Sequence, residues 1–115
     1  MAKRKLSAHA EQTISTLPDP IAKCVRDGEP FKVNVDGTVE KVTLAEETSL
    51  RLRQMQTAVG GYIQLAACAV PNWLLVVNED GMRLQLPVNE DATKLYAHAM
   101  WAGVRILGPA LMVPK

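Results

Sequence analysis

The residues best suited to nucleophilic or metal chemistry are two cysteines and two histidines. Common zinc sites take their ligands in pairs only a few residues apart, and neither Cys24 and Cys68 nor His9 and His98 are spaced in that way. A nucleophilic Cys–His pair could still form, because residues distant in sequence can meet in a fold. Both cysteines stand among apolar residues, so we predict buried, reduced thiols and no metal site.

Three acidic pairs could bind a divalent cation or transfer protons in acid–base catalysis. They are Glu46 with Glu47, Glu79 with Asp80, and Glu90 with Asp91. Each pair also has a structural explanation, because two fall in the predicted first turn of a helix and one in a predicted hairpin turn. The last two pairs belong to a repeated tetrapeptide, Val-Asn-Glu-Asp, which we attribute to chance because its copies have different predicted roles. We assign no catalytic residue and no cofactor.

Two consecutive glycines before an apolar segment are the remaining candidate for a binding site. A phosphate-binding loop connects a strand to a helix, whereas Gly60 and Gly61 connect a predicted helix to a predicted strand. One interpretation is a helix end followed by a tight connection. The other is a groove for a small ligand or a partner, formed by Gly60, Gly61, Tyr62, Gln64, Asn78, Arg83 and Asn89.

The charges are nearly balanced, with 13 Lys and Arg against 12 Asp and Glu and a net charge of +1. A domain that binds nucleic acid is usually strongly basic and offers aromatic side chains for stacking, but aromatic residues make up only 4% of this chain. The positive excess falls within residues 1–30, where Lys3, Arg4 and Lys5 are adjacent. The candidates for contact with nucleic acid are these three residues together with Arg51 and Arg53.

The 115 residues contain no apolar run as long as a membrane-spanning helix, and polar residues interrupt the segment after the basic N-terminus. We therefore expect no membrane association and a cytoplasmic location, in the host cytoplasm if a phage encodes the protein. A hydrophobic fraction of 48% suits a globular domain rather than a disordered chain.

Two short helices are predicted at the N-terminus. Asp19 followed by Pro20 is typical of a helix start, and Gly28 of a helix end. We interpret residues 1–30 as a helical extension with a basic tail, which docks on the rest of the chain or on a second copy. Residues 31–115 are interpreted as a single α+β domain.

Seven segments in that domain have the apolar patterns of β-strands, and the last two would close the sheet. Turn sequences join most neighbours, including a two-residue turn at Asp36 and Gly37 in a hairpin near the sheet edge, so the sheet is predicted to be mainly antiparallel. The segments are residues 31–35, 38–43, 62–70, 73–77, 82–86, 104–107 and 110–113.

Two longer helices are predicted between these strands. Thr43 and Glu46 form a capping box for a helix that ends at Val59, and Asn89 caps a helix that ends at Gly103. The fold class is therefore α+β, with a mainly antiparallel sheet of about five to seven strands, two helices packed on one side of it, and an N-terminal helical segment. The expected core consists of Leu52, Met55, Val59, Ile63, Leu65, Leu75, Val77, Leu84, Leu86, Leu95, Tyr96 and Ile106.

Several short segments occur in the same order as in a known family. They are Val-Gly-Gly-Tyr-Ile at residues 59–63, Asn-Glu-Asp-Gly at 78–81, Leu-Pro-Val-Asn at 86–89 and Ile-Leu-Gly at 106–108. Over residues 31–113 the chain resembles the domain of unknown function 3846 family of small proteins, many of them from phages and plasmids. The resemblance implies a mobile-element origin, and it implies no established reaction and no catalytic residues.

These observations favour a phage or mobile-element accessory protein that binds a host protein or a small metabolite and is not an enzyme. Two alternatives remain open, a nucleic-acid-associated protein that uses the basic N-terminal tail and an undiscovered small enzyme. A homodimer is also expected to be possible, because a small domain with open sheet edges can cover them with a second copy.

Overall fold

The computed structural model describes residues 8–98 and 104–115. The basic residues Lys3, Arg4 and Lys5 lie outside these ranges. The helix predicted to run to Gly103 is shorter than expected: it ends at Leu95, because Tyr96 has an extended backbone. The elements follow one another in the order α1 (Ala8–Ser15), α2 (Asp19–Asp27), β1 (Phe31–Val33), β2 (Val39–Lys41), α3 (Thr48–Val59), β3 (Ile63–Ala66), β4 (Trp73–Asn78), α4 (Glu90–Leu95) and β5 (Ala110–Pro114).

The five strands form one antiparallel sheet in the order β2-β1-β5-β4-β3. The α+β class and the antiparallel sheet predicted from the sequence are confirmed, and β2 lies at the edge as expected. The last strand, β5, was expected to close the sheet but lies at its centre. Its position follows from its composition, because residues 110–113 are all apolar and all buried.

Helices cover both faces of this sheet. Side chains alternate along β4, so Trp73, Leu75 and Val77 face one side together with apolar residues of α1, α2 and α4. Val76 faces the other side, where it packs with Val59 at the end of α3. The prediction that the helices pack on one side is wrong, because the continuous apolar runs of β4 and β5 leave both faces to be covered.

The N-terminal helices dock on the sheet of their own chain. Ile14, Ile21 and Val25 are buried in the same cluster as Phe31 and Val33 of β1. Burial of such side chains contributes roughly 1.5–3 kcal/mol each to the free energy of unfolding. The two helices are therefore part of the core that stabilises the sheet.

The segment 79–85 is a series of tight turns rather than the predicted strand. Leu84 N–H donates to the carbonyl oxygen of Asp80 at 2.9 Å, which closes a single helical turn. Gln85 has a φ of +54°, outside the range of β-strands. Met82 and Leu84, whose alternation predicted the strand, are exposed.

Two other predicted strands are also corrected. β3 ends at Ala66, and Cys68 beyond it forms only an isolated bridge to Tyr96. Residues 104–107 contribute a single bridge, from Leu107 to Val88. Short apolar runs of this kind predict burial better than they predict hydrogen bonding to a neighbouring strand.

The first hairpin turns through more residues than predicted. Gly37 N–H donates to the carbonyl oxygen of Asn34 at 3.1 Å, and of the predicted pair only Gly37 has a positive φ, +92°. A two-residue turn with both φ angles positive is therefore wrong. The loop is instead a wider turn that ends in a left-handed glycine.

The expected core is only partly observed. The residues buried as expected are Val59, Leu75, Val77, Leu95 and Ile106. The residues exposed instead are Leu52, Leu65 and Leu84. Periodicity identifies apolar positions correctly here, but tertiary contacts decide which of them are covered.

Helix α3 begins later than the predicted capping box. Its N-cap is Glu47, whose carboxylate accepts hydrogen bonds from the N–H groups of Leu50 at 2.7 Å and Ser49 at 3.0 Å. These bonds stabilise the charged form and lower the pKa of Glu47. Thr43 and Glu46 lie before the helix, so the predicted capping box is wrong.

Replacing Glu47 by alanine is expected to lower the melting temperature, because two N–H groups at the start of α3 lose their acceptor. Glu46→Ala is the matched control, since this neighbouring exposed glutamate lies outside the helix, and it should leave the melting temperature unchanged. Thermal unfolding followed by circular dichroism measures both variants. Equal effects of the two substitutions would contradict the assignment of the cap.

The contribution of Glu47 should also depend on pH. Because its pKa is lower in the folded chain than in the unfolded chain, its stabilisation is fully present above the ordinary glutamate value of about 4.3. The stabilisation is lost as the pH falls through the lower folded value. The difference in melting temperature between the wild type and Glu47→Ala should therefore shrink at acidic pH.

Candidate functional site

The end of β4 meets the end of α3 at a buried asparagine. Asn78 Nδ2 donates to the carbonyl oxygen of Val59 at 3.1 Å, and Asn78 Oδ1 accepts from the N–H of Asp80 at 2.8 Å. Burial without these partners would cost about 1–3 kcal/mol for each unsatisfied group. The side chain therefore joins the end of α3 to the start of the turn 79–85.

Gly61 lies against the same asparagine. A Cβ atom at position 61 would be 2.9 Å from Asn78 Nδ2, closer than real Cβ contacts. Glycine at this position therefore allows the close approach of the chain to the Asn78 amide. Glycine is favoured at position 60 for a different reason, because this residue ends α3 with a φ of +81°.

The turn 79–85 is held on two sides. Arg83 Nη2 lies 3.2 Å from Asp80 Oδ2, and this hydrogen-bonded ion pair raises the pKa of Arg83. On the other side, a Cβ at Gly81 would be only 3.2 Å from the Cβ of Leu107. The backbone of the turn is therefore kept close to the domain, while most of its side chains remain exposed.

A groove lies between the end of α3, the start of β3 and this turn. Its volume is about 330 Å³. Four predicted binding residues line it together, namely Gly61, Tyr62, Asn78 and Arg83. The sequence interpretation missed the other three residues of the lining, which are Gln56, Asp80 and Leu84. Leu84 was missed because the strand pattern assigned it to the core.

Two further predicted residues lie near this groove but outside its lining. Gln64 lines a neighbouring cavity of about 250 Å³, which shares Asn78 with the groove. Gly60 precedes Gly61 at the end of α3 and belongs to neither lining. The structure therefore brings together most of the predicted residues around Asn78.

Asn89 does not belong to this site. It is fully buried, and its Nδ2 donates to the carbonyl oxygens of Val33 and Gly108, both at 3.0 Å. Its Oδ1 accepts from the N–H of Ala92 at 3.0 Å, which confirms the predicted cap of α4. Because every polar atom of the side chain is used internally, the prediction that Asn89 lines the groove is corrected.

The repeated Val-Asn-Glu-Asp tetrapeptide places one asparagine, Asn78, at the turn after β4 and the other, Asn89, at the start of α4. Each accepts a backbone N–H from two or three residues ahead and donates to a carbonyl group of another part of the chain. The different roles predicted for the two copies, a turn and a helix cap, are thus observed. An asparagine between an apolar residue and acidic residues is a typical turn or cap sequence, which the repeat signals twice.

The candidates for nucleic-acid contact are not brought together in the described residues. Arg51 is half-buried on α3, and its Nη1 donates to the carbonyl oxygen of Ala45 at 3.5 Å. Arg53 is exposed and lines a separate cavity beside Leu50. The basic N-terminal residues lie outside the described ranges.

Both cysteines are free and half-buried. Burial raises the pKa of both thiols, because a thiolate loses solvation there. Burial therefore favours the neutral thiol at both positions. Within residues 8–98 and 104–115, no group of three His, Cys, Asp or Glu residues could hold a metal ion. The same ranges contain no helix long and apolar enough to cross a membrane.

The observations above define a small α+β domain with a groove beside a turn that is fixed by buried side chains. A family model described as Domain of unknown function (DUF3846) matches residues 30–114, so the chain belongs to this family. The resemblance stated from the sequence motifs is thereby confirmed. No curated protein and no solved structure matches the chain.

The contact between Gly61 and Asn78 can be measured as an interaction energy. Gly61→Ala is expected to destabilise the protein by about 1–3 kcal/mol, the usual cost of forcing extra atoms into a filled space. In an Asn78→Ala background the obstructing amide is absent, so the same substitution should cost clearly less. Urea unfolding of the two single variants and the double variant gives the difference.

Gly60→Ala is the control for this cycle. Its Cβ would meet no atom within 4 Å, and its cost of about 1–2 kcal/mol arises from the left-handed backbone. The cost of Gly60→Ala should be the same in the wild-type background and in the Asn78→Ala background. Equal costs of Gly61→Ala in the two backgrounds would contradict the proposed contact.

Proposed function

We propose that the protein functions by binding a partner protein through a turn surface formed by Tyr62, Met82, Arg83 and Leu84. One observation carries the proposal: three large apolar side chains are exposed at and beside one turn. The exposed fractions are 83% for Met82, 68% for Tyr62 and 47% for Leu84. Single exposed apolar residues are common, but adjacent ones mark interaction sites.

The composition of the turn surface supports a protein partner. Tyrosine, methionine and arginine are enriched in protein interfaces, and tyrosine and arginine carry much of the binding energy there. Arg83 is already held by Asp80, so it offers a positioned guanidinium rather than a mobile charge. A partner would therefore meet apolar side chains beside a fixed polar group.

The turn surface is also well prepared for binding. Asn78, Asp80 and Gly81 hold the backbone of the turn in contacts described above. The positive φ of Gln85, +54°, costs of order 1–3 kcal/mol and is maintained by these surroundings. A turn that is already ordered loses little conformational entropy on association, which favours affinity.

A small metabolite is supported less well. The groove volume of about 330 Å³ lies near the lower end of the range of roughly 300–1,000 Å³ for ligand pockets. Its aromatic wall, Tyr62, is about two-thirds exposed and would leave a small ligand largely in solvent. Metabolite binding is therefore the second arm of the test.

We further propose that the protein serves a phage or another mobile element and acts in the host cytoplasm. This part rests on the family resemblance, which implies such an origin, and the two free cysteines suit a reducing compartment. Phage genes beside the coding sequence would support the proposal. A setting among ordinary cellular genes would count against it.

The full chain, used as bait in host lysate, is expected to retain a specific protein. That protein should then be identified, purified and titrated against the wild type and two variants by calorimetry. Met82→Ser and Leu84→Ser should each raise Kd about tenfold or more, because truncation removes central apolar contacts. Leu50→Ser is the matched control, since Leu50 on α3 is similarly exposed at 45% and should leave Kd unchanged.

Three results would contradict this proposal in different ways. If the purified partner binds the turn variants as tightly as the wild type, the turn surface is not the site. If no protein is retained but a metabolite raises the melting temperature, the metabolite arm is favoured. If a gel-shift assay shows salt-sensitive nucleic-acid binding that disappears without residues 1–6, the nucleic-acid alternative replaces the proposal.

A further inference from the structure

The outer edge of β3 carries backbone groups that no described strand covers. β3 is the last strand in the sheet order. The carbonyl oxygen of Tyr62 accepts from Glu79 N–H at 2.8 Å, so the backbone of every second residue from Tyr62 onward faces β4. The N–H and carbonyl groups of Ile63 and Leu65 therefore face outward.

The same alternation continues beyond β3, where the outward groups are already bonded. The carbonyl oxygen of Ala67 accepts from Ala97 N–H, and Ala69 N–H donates to the carbonyl oxygen of Leu95, both at 2.8 Å. In the part of the chain that the structure describes, the edge is thus closed after Ala66. Over a short length centred on Gln64, none of the described residues bonds to this edge.

This open edge carries no charge. Residues 54–78 contain no Asp, Glu, Lys or Arg. Natural edge strands are commonly protected by charges, prolines or bulges, and β3 contains no charged residue or proline. Leu65, at the middle of the edge, is 58% exposed. The side chains of β3 itself therefore add no electrostatic repulsion when the strand approaches an identical strand.

We propose that two copies of the chain form a symmetric dimer in which their β3 strands pair antiparallel. The two-fold axis passes beside Gln64, so that Gln64 lies opposite Gln64 of the second copy. Ile63 of each copy then lies opposite Leu65 of the other. The two five-stranded sheets become one continuous sheet.

This register uses all the open backbone groups and no others. The outward N–H and carbonyl groups of Ile63 bond to those of Leu65 in the second copy. By symmetry, those of Leu65 bond to Ile63 of the second copy. A register that placed Leu65 opposite Leu65 of the second copy would pair Ile63 with Ala67. The carbonyl oxygen of Ala67 already accepts a hydrogen bond from Ala97 N–H. The edge is therefore complementary to itself in one particular alignment.

The side chains also fit this alignment. The exposed Leu65 gains an apolar neighbour in Ile63 of the second copy, on the side of the sheet that α3 covers. The two Gln64 side chains meet at the axis as a pair without backbone hydrogen bonds, where Cα atoms are about 4.5 Å apart. Their amides can donate and accept between each other.

Sedimentation of the full chain should give about twice its mass of 12.6 kDa. Gln64→Glu and Gln64→Lys should each sediment as monomers, because each places two like charges directly opposite at the axis. An equal mixture of these two variants should recover the dimer, because the charges are then opposite. Gln12→Glu, on an exposed residue of α1, is the control and should remain dimeric.

A cross-link tests the register independently of these charges. Gln64→Cys should give a disulfide-linked dimer on mild oxidation, since directly opposite residues in such pairs have suitable Cβ separations. Gln12→Cys should not. A monomeric wild type, a dimer that persists in Gln64→Glu, or failure of Gln64→Cys to cross-link would each overturn the proposal. The dimer does not depend on the proposed partner, so each can fail alone.

Discussion

Two buried side-chain amides hold together the connections on which this structure depends. Asn78 joins the end of α3 to the turn after β4, and Asn89 joins β1, the start of α4 and the segment before β5. A buried amide that loses a partner costs about 1–3 kcal/mol. The backbone groups that satisfy each amide are therefore fixed relative to one another, and so are the loops that carry them.

The segments shared with the family meet one another at these amides. The Val-Gly-Gly-Tyr-Ile segment contacts the Asn-Glu-Asp-Gly segment through Gly61 and Asn78. The Leu-Pro-Val-Asn segment contacts the Ile-Leu-Gly segment at several points. Asn89 donates to Gly108, and a Cβ at Gly108 would lie 2.7 Å from Leu86 Cδ1. These motifs therefore describe how the domain folds. The residues proposed to bind a partner, Met82 and Leu84, stand between two of the motif segments.

Local chemistry in the sequence is sufficient for part of the fold. The proline and glycine around α2, the continuous apolar run of β4 and the Asn89 cap each predict an element that the structure contains. The turn 79–85 could not be predicted in this way, because alternating Met82 and Leu84 satisfy the pattern of a strand equally well. Only the contacts of Asn78 and Gly81 with distant residues favour the turn.

The candidate site was predicted where it depends on neighbouring residues and missed where it depends on tertiary contacts. Gly61, Tyr62, Asn78 and Arg83 were all identified from sequence. Gln56 and Leu84 were missed, because only the folded chain brings α3 and the turn 79–85 to the same groove. Asn89 has the same residue type and sequence setting as Asn78, but its hydrogen bonds to Val33, Gly108 and Ala92 place it away from the groove. The central position of β5 was also not predicted, although its continuous apolar run is typical of a strand covered on both faces.

Amide hydrogen exchange measures directly whether the buried amides fix the exposed turn. The N–H of Asp80 lies in a turn near the surface yet donates to Asn78 Oδ1, and the N–H of Ala92 donates to Asn89 Oδ1. Both should exchange slowly, with protection that follows global unfolding. Exchange of the Asp80 N–H at the rate of a freely exposed amide would show that the turn opens by itself and would contradict the account.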